Sequence, residues 1–175
     1  VICLTFAVAT YPLLSFTSGW RDPYLVAADE MLGFDWLSLW NFVLRHSGIE
    51  FLSLVSYQSI AWQPAVIVVY LVLLKHQAHA YRFLAAMIVA LTLTDAILAI
   101  APAKSAAVHF LGESFASLPK AGIVHVPIIE GLRSGAVDVV SAQSLYGLIT
   151  FPSFHVAAAV LFIWAAWPIV WLRIP

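Results

Sequence analysis

Hydrophobic residues occur in four long stretches that are almost free of charge. The stretches cover residues 1–17, 51–74, 83–101 and 151–172, and the third contains one acidic residue, Asp95. A helix needs about 20 apolar residues to cross a hydrocarbon core of about 30 Å. The pattern therefore predicts an all-α integral membrane protein with a bundle of about four transmembrane helices. Because the first stretch is short and has no basic flank, we expect the sequence to begin inside its first span.

Positive charge is densest in the shortest connection between these stretches. Residues 75–82 contain Lys75 and Arg82 and no acidic residue, whereas the connections 19–47 and 102–150 together hold seven of the nine acidic residues. Short loops rich in Lys and Arg stay in the cytoplasm. The pattern therefore predicts that 19–47 and 102–150 are extracytoplasmic loops, together with the start of the last span.

A second kind of pattern covers residues 29–45. Apolar residues recur there at helical spacing, and polar residues take the opposite face: Leu32, Trp36, Leu39, Trp40 and Val43 against Asp35, Ser38, Asn41 and Arg45. Such a segment is typical of an amphipathic helix lying in the membrane interface. The equal alternative is a helix that packs on loops of the protein itself.

The composition is that of a membrane protein and excludes several other classes. Hydrophobic residues make up 63% of the chain and charged residues 10%, whereas soluble domains carry about 25% charged residues. A net charge of −1 leaves no basic surface for nucleic acid. The single cysteine, Cys3, excludes an internal disulfide bond. With no internal repeat in evidence, we expect residues 1–175 to form a single membrane domain.

Polar chemistry is concentrated where the last predicted span begins, in the sequence Phe-Pro-Ser-Phe-His at 151–155. Thr150 or Ser153 can cap a helix that has Pro152 in its first turn. The first turn of a helix has unpaired N–H groups and a partial positive charge, so it attracts phosphate oxygens. Ser153 would add a hydroxyl donor, and His155 could give a proton to a departing oxygen. The alternative is a histidine with a purely structural role at the membrane interface.

The residues around this motif resemble a known family. The sequence "GLITFPSFHVAAAVLFIWAAWPI" is similar to the second signature of the type 2 phosphatidic acid phosphatase superfamily, whose core is Pro-Ser-x-His. It looks most like the branch that includes the inositolphosphorylceramide synthases. Four other segments resemble that branch in the same order: "LGFDW" at 32–36, "YQSIAWQP" at 57–64, "APA" at 101–103 and "LRSG" at 132–135.

The resemblance implies transfer or hydrolysis of a phosphate ester at the membrane surface. In that family a histidine in a His-x-x-x-Asp arrangement attacks phosphorus to form a phosphohistidine, and the Pro-Ser-x-His histidine assists the leaving group. By this resemblance His155 is the general acid and Ser153 is a phosphate ligand. Positioning and charge neutralisation are also what phosphoryl transfer requires on physical grounds.

The sequence departs from the family in its first signature, Lys-x6-Arg-Pro, which is absent. Lys104 lies near the expected place of that signature, and Arg133 precedes the second signature. Either side chain could neutralise phosphate charge, and either could equally be a solvated loop charge.

The nucleophile pair of the family, His-x-x-x-Asp, is also absent. His109 with Glu113 and His46 with Glu50 form His-x-x-x-Glu, but both precede the second signature, so we interpret them as loop residues. We therefore expect the natural protein to continue past Pro175 with one or two further spans, about six in all. The first of these should carry the missing pair.

The expected partners follow from the same resemblance. They are membrane lipids and a phosphorylated lipid or polyprenyl substrate, with no nucleic acid, cofactor or metal. The expected location is the bacterial inner (plasma) membrane, with the site on the extracytoplasmic side. The alternative from another class is a non-catalytic accessory or structural subunit that keeps the fold and binds protein partners in a larger membrane complex.

Several polar side chains fall inside the predicted spans. Asp95 lies about 9 Å from the end of its span at 1.5 Å per residue, and a hydrogen bond to a neighbouring helix is favoured over a functional role. Tyr57, Ser59 and Gln63 either line a polar cavity or join helices, and the sequence leaves both alternatives open.

Overall fold

The computed structural model describes residues 2–112, 125–137, 148 and 150–171, and its regular structure in these ranges is entirely α-helical. This confirms the prediction of an all-α fold for the described residues. The helices are α1 (Ile2–Ser15), α2 (Asp22–Met31), α3 (Trp36–Arg45), α4 (Ser47–Ser59), α5 (Gln63–Leu73), α6 (Gln77–Ile100), α7 (Ala106–Leu111), α8 (His125–Ser134) and α9 (Phe154–Trp171).

The helices group into two compact units. The first unit comprises residues 1–42 and 92–152, and the second comprises residues 43–91 and 153–175. Helix α6 contributes to both, since residue 91 ends one segment and residue 92 begins the other. Each unit has its own buried cluster of apolar side chains.

The core of the first unit joins α1, α6 and α8. Tyr11 and Leu14 of α1 pack with Leu98 of α6, Ile129 of α8 and Leu148. All five are buried, and burying one such aliphatic side chain stabilises a fold by about 1.5–3 kcal/mol. Because these side chains come from segments far apart in the sequence, the cluster holds α8 along α1.

The core of the second unit is the contact of α6 with α9. Phe83 and Met87 of α6 pack against Ala158, Phe162 and Ala165 of α9, and the two phenylalanine rings are tilted with their centroids 6.1 Å apart. Small residues let helix backbones approach closely. Both alanines are fully buried, so the small face of α9 is used for packing on a neighbouring helix.

By length and composition, α6 is the one helix among the described residues that could cross a membrane by itself. It has 24 residues, or about 36 Å at 1.5 Å per residue. Helices α4 and α5 make a second candidate only if they are taken as one broken span, and Phe154–Trp167 of α9 is apolar but shorter. The prediction of about four spans therefore stays a prediction.

The predicted span over 51–74 is interrupted. Helices α4 and α5 are bent by 64° at their junction, and Pro64 stands in the first turn of α5. Proline lacks the N–H that a continuous helix would need and its ring clashes with the preceding turn. Across the junction the Gln63 amide donates to Ser59 Oγ at 2.5 Å. Within α4 the Ser59 hydroxyl donates to the Ser56 carbonyl at 2.6 Å. Ser59 and Gln63 therefore join helices.

The amphipathic helix predicted over 29–45 begins later than expected, at Trp36. Helix α2 ends first, because Gly33 has a left-handed φ of 70° and the Gly33 and Phe34 N–H groups donate to the Glu30 and Asp29 carbonyls. This is a Schellman motif, in which glycine meets no steric penalty.

Asp35 then starts α3. Its carboxylate accepts from the Ser38 N–H at 3.1 Å and from the Ser38 hydroxyl at 2.6 Å, which caps the helix. These hydrogen bonds lower the pKa of the exposed Asp35 carboxyl. Trp36 stacks on Trp40 and on Phe110 of α7, with centroids 5.3 Å and 5.7 Å apart. Part of the aromatic face of α3 thus contacts the protein itself.

The turn predicted over 75–82 is shorter than expected. Helix α6 begins at Gln77, so the turn is confined to residues 74–76, with Lys75 at a φ of 63°. His79 therefore lies on α6, where its Nε2–H donates to the Ala165 carbonyl at 3.1 Å and its ring packs on Trp164. This histidine helps to hold α6 and α9 together.

Candidate functional site

Ser153 is the N-terminal capping residue of α9. Its Oγ accepts a hydrogen bond from the Val156 N–H at 3.4 Å, the pairing expected between a cap and the third helical residue. Thr150, the other residue able to cap this helix, instead donates its hydroxyl to the Ala103 carbonyl. The Ser153 oxygen is thus an acceptor for the helix, and its hydroxyl hydrogen can point to a ligand.

His155 is the second residue of α9, and its ring is half-buried. The imidazole stacks on the ring of Tyr57, with an angle of 4° between the ring planes and 4.0 Å between the centroids. Tyr57 lies in the last turn of α4. The contact therefore brings one residue of the "YQSIAWQP" segment to the Pro-Ser-Phe-His motif.

In the first unit, Lys104 and Arg133 meet at the indole ring of Trp20. The Arg133 guanidinium carbon lies 4.3 Å from the ring centroid, and Lys104 Nζ lies 5.4 Å from it. Both distances are within the range of a cation–π interaction. Lys104 also pairs with Glu130 at 3.6 Å, at a partly exposed position.

Arg133 is further fixed by the segment that follows α1. Its Nε and Nη2 donate to Thr17 Oγ1 at 3.2 Å and 2.8 Å, and Nη2 also donates to the Gly19 carbonyl at 3.0 Å. Burial lowers the pKa of this guanidinium, and Glu130 opposes that shift. Even a lowered arginine pKa leaves the group charged at neutral pH.

The backbone of Lys104 is held on both sides. The buried Asp22 carboxylate accepts from the Lys104 N–H at 2.9 Å and from the Ser105 N–H at 3.1 Å, while His125 Nε2 donates to the Lys104 carbonyl. An open cleft of about 540 Å³ lies beside this segment, and its lining includes Trp20, Asp22, Lys104 and His109. This volume is within the range of small-molecule sites.

The four predicted site residues thus form two pairs. Lys104 and Arg133 share the Trp20 ring in the first unit, while Ser153 and His155 share the first turn of α9 in the second. The sequence analysis assigned neither Trp20 nor Asp22 to a site. The signal available for Asp22 was an acidic residue followed by proline at a helix start.

Three other polar residues were considered in the sequence analysis: His109, Glu113 and Asp95. His109 lies at the cleft, and Glu113 lies outside the described residues. Asp95 is buried on α6, and one of its carboxylate oxygens has no hydrogen-bond partner in the described structure. Within the described ranges, no three His, Cys, Asp or Glu side chains are arranged to hold a metal ion.

Comparison with known proteins gives one match. A family model described as the PAP2 superfamily matches residues 23–175, a range that contains all four predicted site residues. No curated protein and no solved structure matches the chain.

Proposed function

Because the chain belongs to the PAP2 superfamily, we propose that it is a membrane-embedded phosphoester transferase or lipid phosphatase with His155 as its general acid. Membership indicates phosphatase-type or phosphotransferase-type chemistry on phosphorylated lipids. The observation that carries the proposal is the start of α9, where a capping serine and a histidine share one turn.

The proposed reaction passes through a phosphohistidine. A histidine nitrogen attacks phosphorus, the bond from phosphorus to the leaving oxygen breaks, and His155 gives that oxygen a proton. Water or an acceptor hydroxyl then attacks phosphorus, the phosphorus–nitrogen bond breaks and frees the nucleophilic histidine, and the attacking oxygen gives its proton to His155. The acid and base roles of His155 therefore alternate. The nucleophilic histidine of this scheme is not assigned to any of the 175 residues.

Ser153 is proposed to hold a phosphate oxygen during both steps. The first N–H groups of a helix lie beside its capping residue, and the partial positive charge of that helix end favours an anion there. The cap hydrogen bond to Val156 fixes the serine without using its hydrogen.

Lys104 and Arg133 are proposed to neutralise phosphate charge. Lys104 supports this role because it lines the cleft beside Trp20. For Arg133 the role is supported by its hydrogen bonds: Nε and Nη2 bind Thr17 and Gly19, while Nη1 donates to none of the described residues. Because the guanidinium is already fixed at one edge, less side-chain entropy is lost when its remaining donors bind a phosphate.

The branch of the superfamily, the cellular location and the orientation in the membrane are also proposals. We place the protein in the inositolphosphotransferase branch, as one membrane domain in the bacterial inner membrane, with loops 19–47 and 102–150 and the site on the extracytoplasmic side. The segment resemblances "LGFDW" and "YQSIAWQP" support the branch. The charge of the 75–82 segment supports the orientation.

The test uses the natural full-length protein in detergent with radiolabelled phosphatidic acid and phosphatidylinositol. The expected result is release or transfer of label with an acid-labile, base-stable labelled protein intermediate. His155→Ala should slow turnover of both lipids by about 100-fold or more, the usual contribution of a general acid. A protein with neither activity and no labelled intermediate contradicts the enzyme proposal and favours the accessory-subunit alternative.

A further inference from the structure

We infer that Tyr57 is a positioning residue for His155, so that the general acid depends on an aromatic side chain from another helix. The inference rests on the proposed function, because it concerns how His155 gives its proton. The planes of the two rings are nearly parallel, with an angle of 4° between them, and the ring centroids are 4.0 Å apart. Both belong to the second unit, at the last turn of α4 and the first turn of α9.

The stack fixes the plane in which a proton can be given. Imidazole nitrogens donate and accept in the plane of their ring, and rotation about the bond to that ring is only weakly restricted by the side chain itself. None of the described residues forms a hydrogen bond with the His155 nitrogens, whereas Tyr57 covers one ring face. Tyr57 therefore limits rotation of the imidazole without covering its edge.

The stack also offsets an electrostatic disadvantage of this position. His155 is the second residue of α9, where the partial positive charge of the helix end opposes a protonated imidazole. The face of an aromatic ring carries the negative part of its quadrupole and attracts a cation. Tyr57 thus stabilises the protonated ring at the place where the helix end favours phosphate.

The first experiment compares two leaving groups in the full-length protein. With phosphatidic acid, whose leaving oxygen needs a proton, Tyr57→Leu should lower kcat about tenfold, the upper range for one aromatic pair. Tyr57→Phe keeps the ring and should stay within about twofold. With 4-nitrophenyl phosphate, the oxygen leaves without a proton, so the burst of 4-nitrophenol release in the first turnover should be as fast in both variants as in the unchanged protein. The burst is the quantity to measure, because the later hydrolysis of the phosphohistidine uses His155 with either ester.

Three results overturn the inference, and a fourth overturns the proposed function. Equal losses with both esters indicate a structural role for Tyr57, and a Tyr57→Phe variant as slow as Tyr57→Leu indicates a role for the hydroxyl group. If His155→Ala costs nothing with phosphatidic acid, the proposed function itself fails. If His155→Ala is slow and Tyr57→Leu is not, the proposed function stands and only this inference fails.

A second experiment is independent of turnover. In histidine-labelled protein, the His155 ring-proton signal is identified by its loss in His155→Gln. The ring current of Tyr57 should shift that signal upfield, so Tyr57→Leu should move it downfield and Tyr57→Phe should leave it in place. An unchanged His155 signal in Tyr57→Leu shows that the rings do not stack and overturns the inference.

Discussion

Replacement of the buried Asp22 carboxylate should destabilise the first unit. Asp22 is 5% exposed, and it accepts the Lys104 N–H at 2.9 Å and the Ser105 N–H at 3.1 Å. A hydrogen bond to a charged group contributes about 1.5–3 kcal/mol. Asp22→Asn keeps one acceptor and turns a donor toward the second N–H, so the free energy of unfolding should fall by about 1.5–3 kcal/mol.

The conformation of Ser105 adds to this expectation. Its φ is 123°, a region that non-glycine residues rarely adopt, and such strain costs about 1–3 kcal/mol and persists only when neighbouring contacts hold it. The Asp22 carboxylate is one of those contacts. Its loss should therefore loosen the segment that carries Lys104.

The assay is thermal unfolding in detergent, with Glu30→Gln as the matched control because Glu30 is an exposed acid on the same helix. Asp22→Asn should unfold about 3–12 °C below the unchanged protein, using 2–4 °C per kcal/mol. Hydrogen exchange at the Lys104 and Ser105 amides should accelerate in Asp22→Asn and not in Glu30→Gln. Equal unfolding temperatures for the two variants, with unchanged exchange, would refute this reasoning.

Three further predictions concern the corner between α2 and α3 and the orientation of the chain. Gly33→Ala should lower the free energy of unfolding by about 1–2 kcal/mol because φ is 70° at this position. Gly48 lies within α4 with open space around it, so Gly48→Ala should raise the free energy of unfolding by up to about 1 kcal/mol. Chemical denaturation measures both variants, and equal effects contradict the assignment of the Schellman motif. Because hydrogen bonds lower the pKa of Asp35, its cap stabilises α3 at pH values above the unfolded pKa, and this stabilisation is lost as pH falls through the folded pKa, below about pH 4. The start of α3 should then fray, which backbone chemical shifts would show. Asp35→Asn should abolish the pH dependence of the fraying. Impermeant thiol reagents applied to intact cells should label cysteines placed at 104–112 and not at 76–80, and the reverse pattern contradicts the proposed orientation.

Local sequence signals predict helix ends better than they predict helix continuity. Ser153 was one of two candidates for the cap of α9, and the choice depended on Thr150 bonding to a carbonyl far away in the sequence. Gly33 is typical of a helix end and Asp35 of a helix start, but the helical spacing of apolar residues continues across both and favoured a single helix. Pro64 likewise predicts a kink, while the size of the bend depends on packing.

Long-range pairs could not be predicted from one sequence. Tyr57 and His155 are adjacent only because α4 and α9 pack in the same unit. Trp20 is shared by Lys104 and Arg133, although a tryptophan near a predicted membrane surface is typical of an aromatic belt. In both cases the residue type indicates an interface, and only the fold determines which side chain it contacts.

The two cations near Trp20 can serve phosphate in different ways, and the difference follows from their hydrogen bonds. Arg133 has five N–H donors in a rigid fork; Nε and Nη2 bind Thr17 and Gly19, and Nη1 donates to none of the described residues. It could therefore hold the fold and a phosphate oxygen at once. Lys104 is a flexible point charge that already pairs with Glu130 at 3.6 Å, so a phosphate would have to replace that carboxylate. Because such a partly exposed ion pair contributes only about 0–1 kcal/mol, the exchange is inexpensive. Structural contacts at these two residues are thus compatible with the proposed binding role.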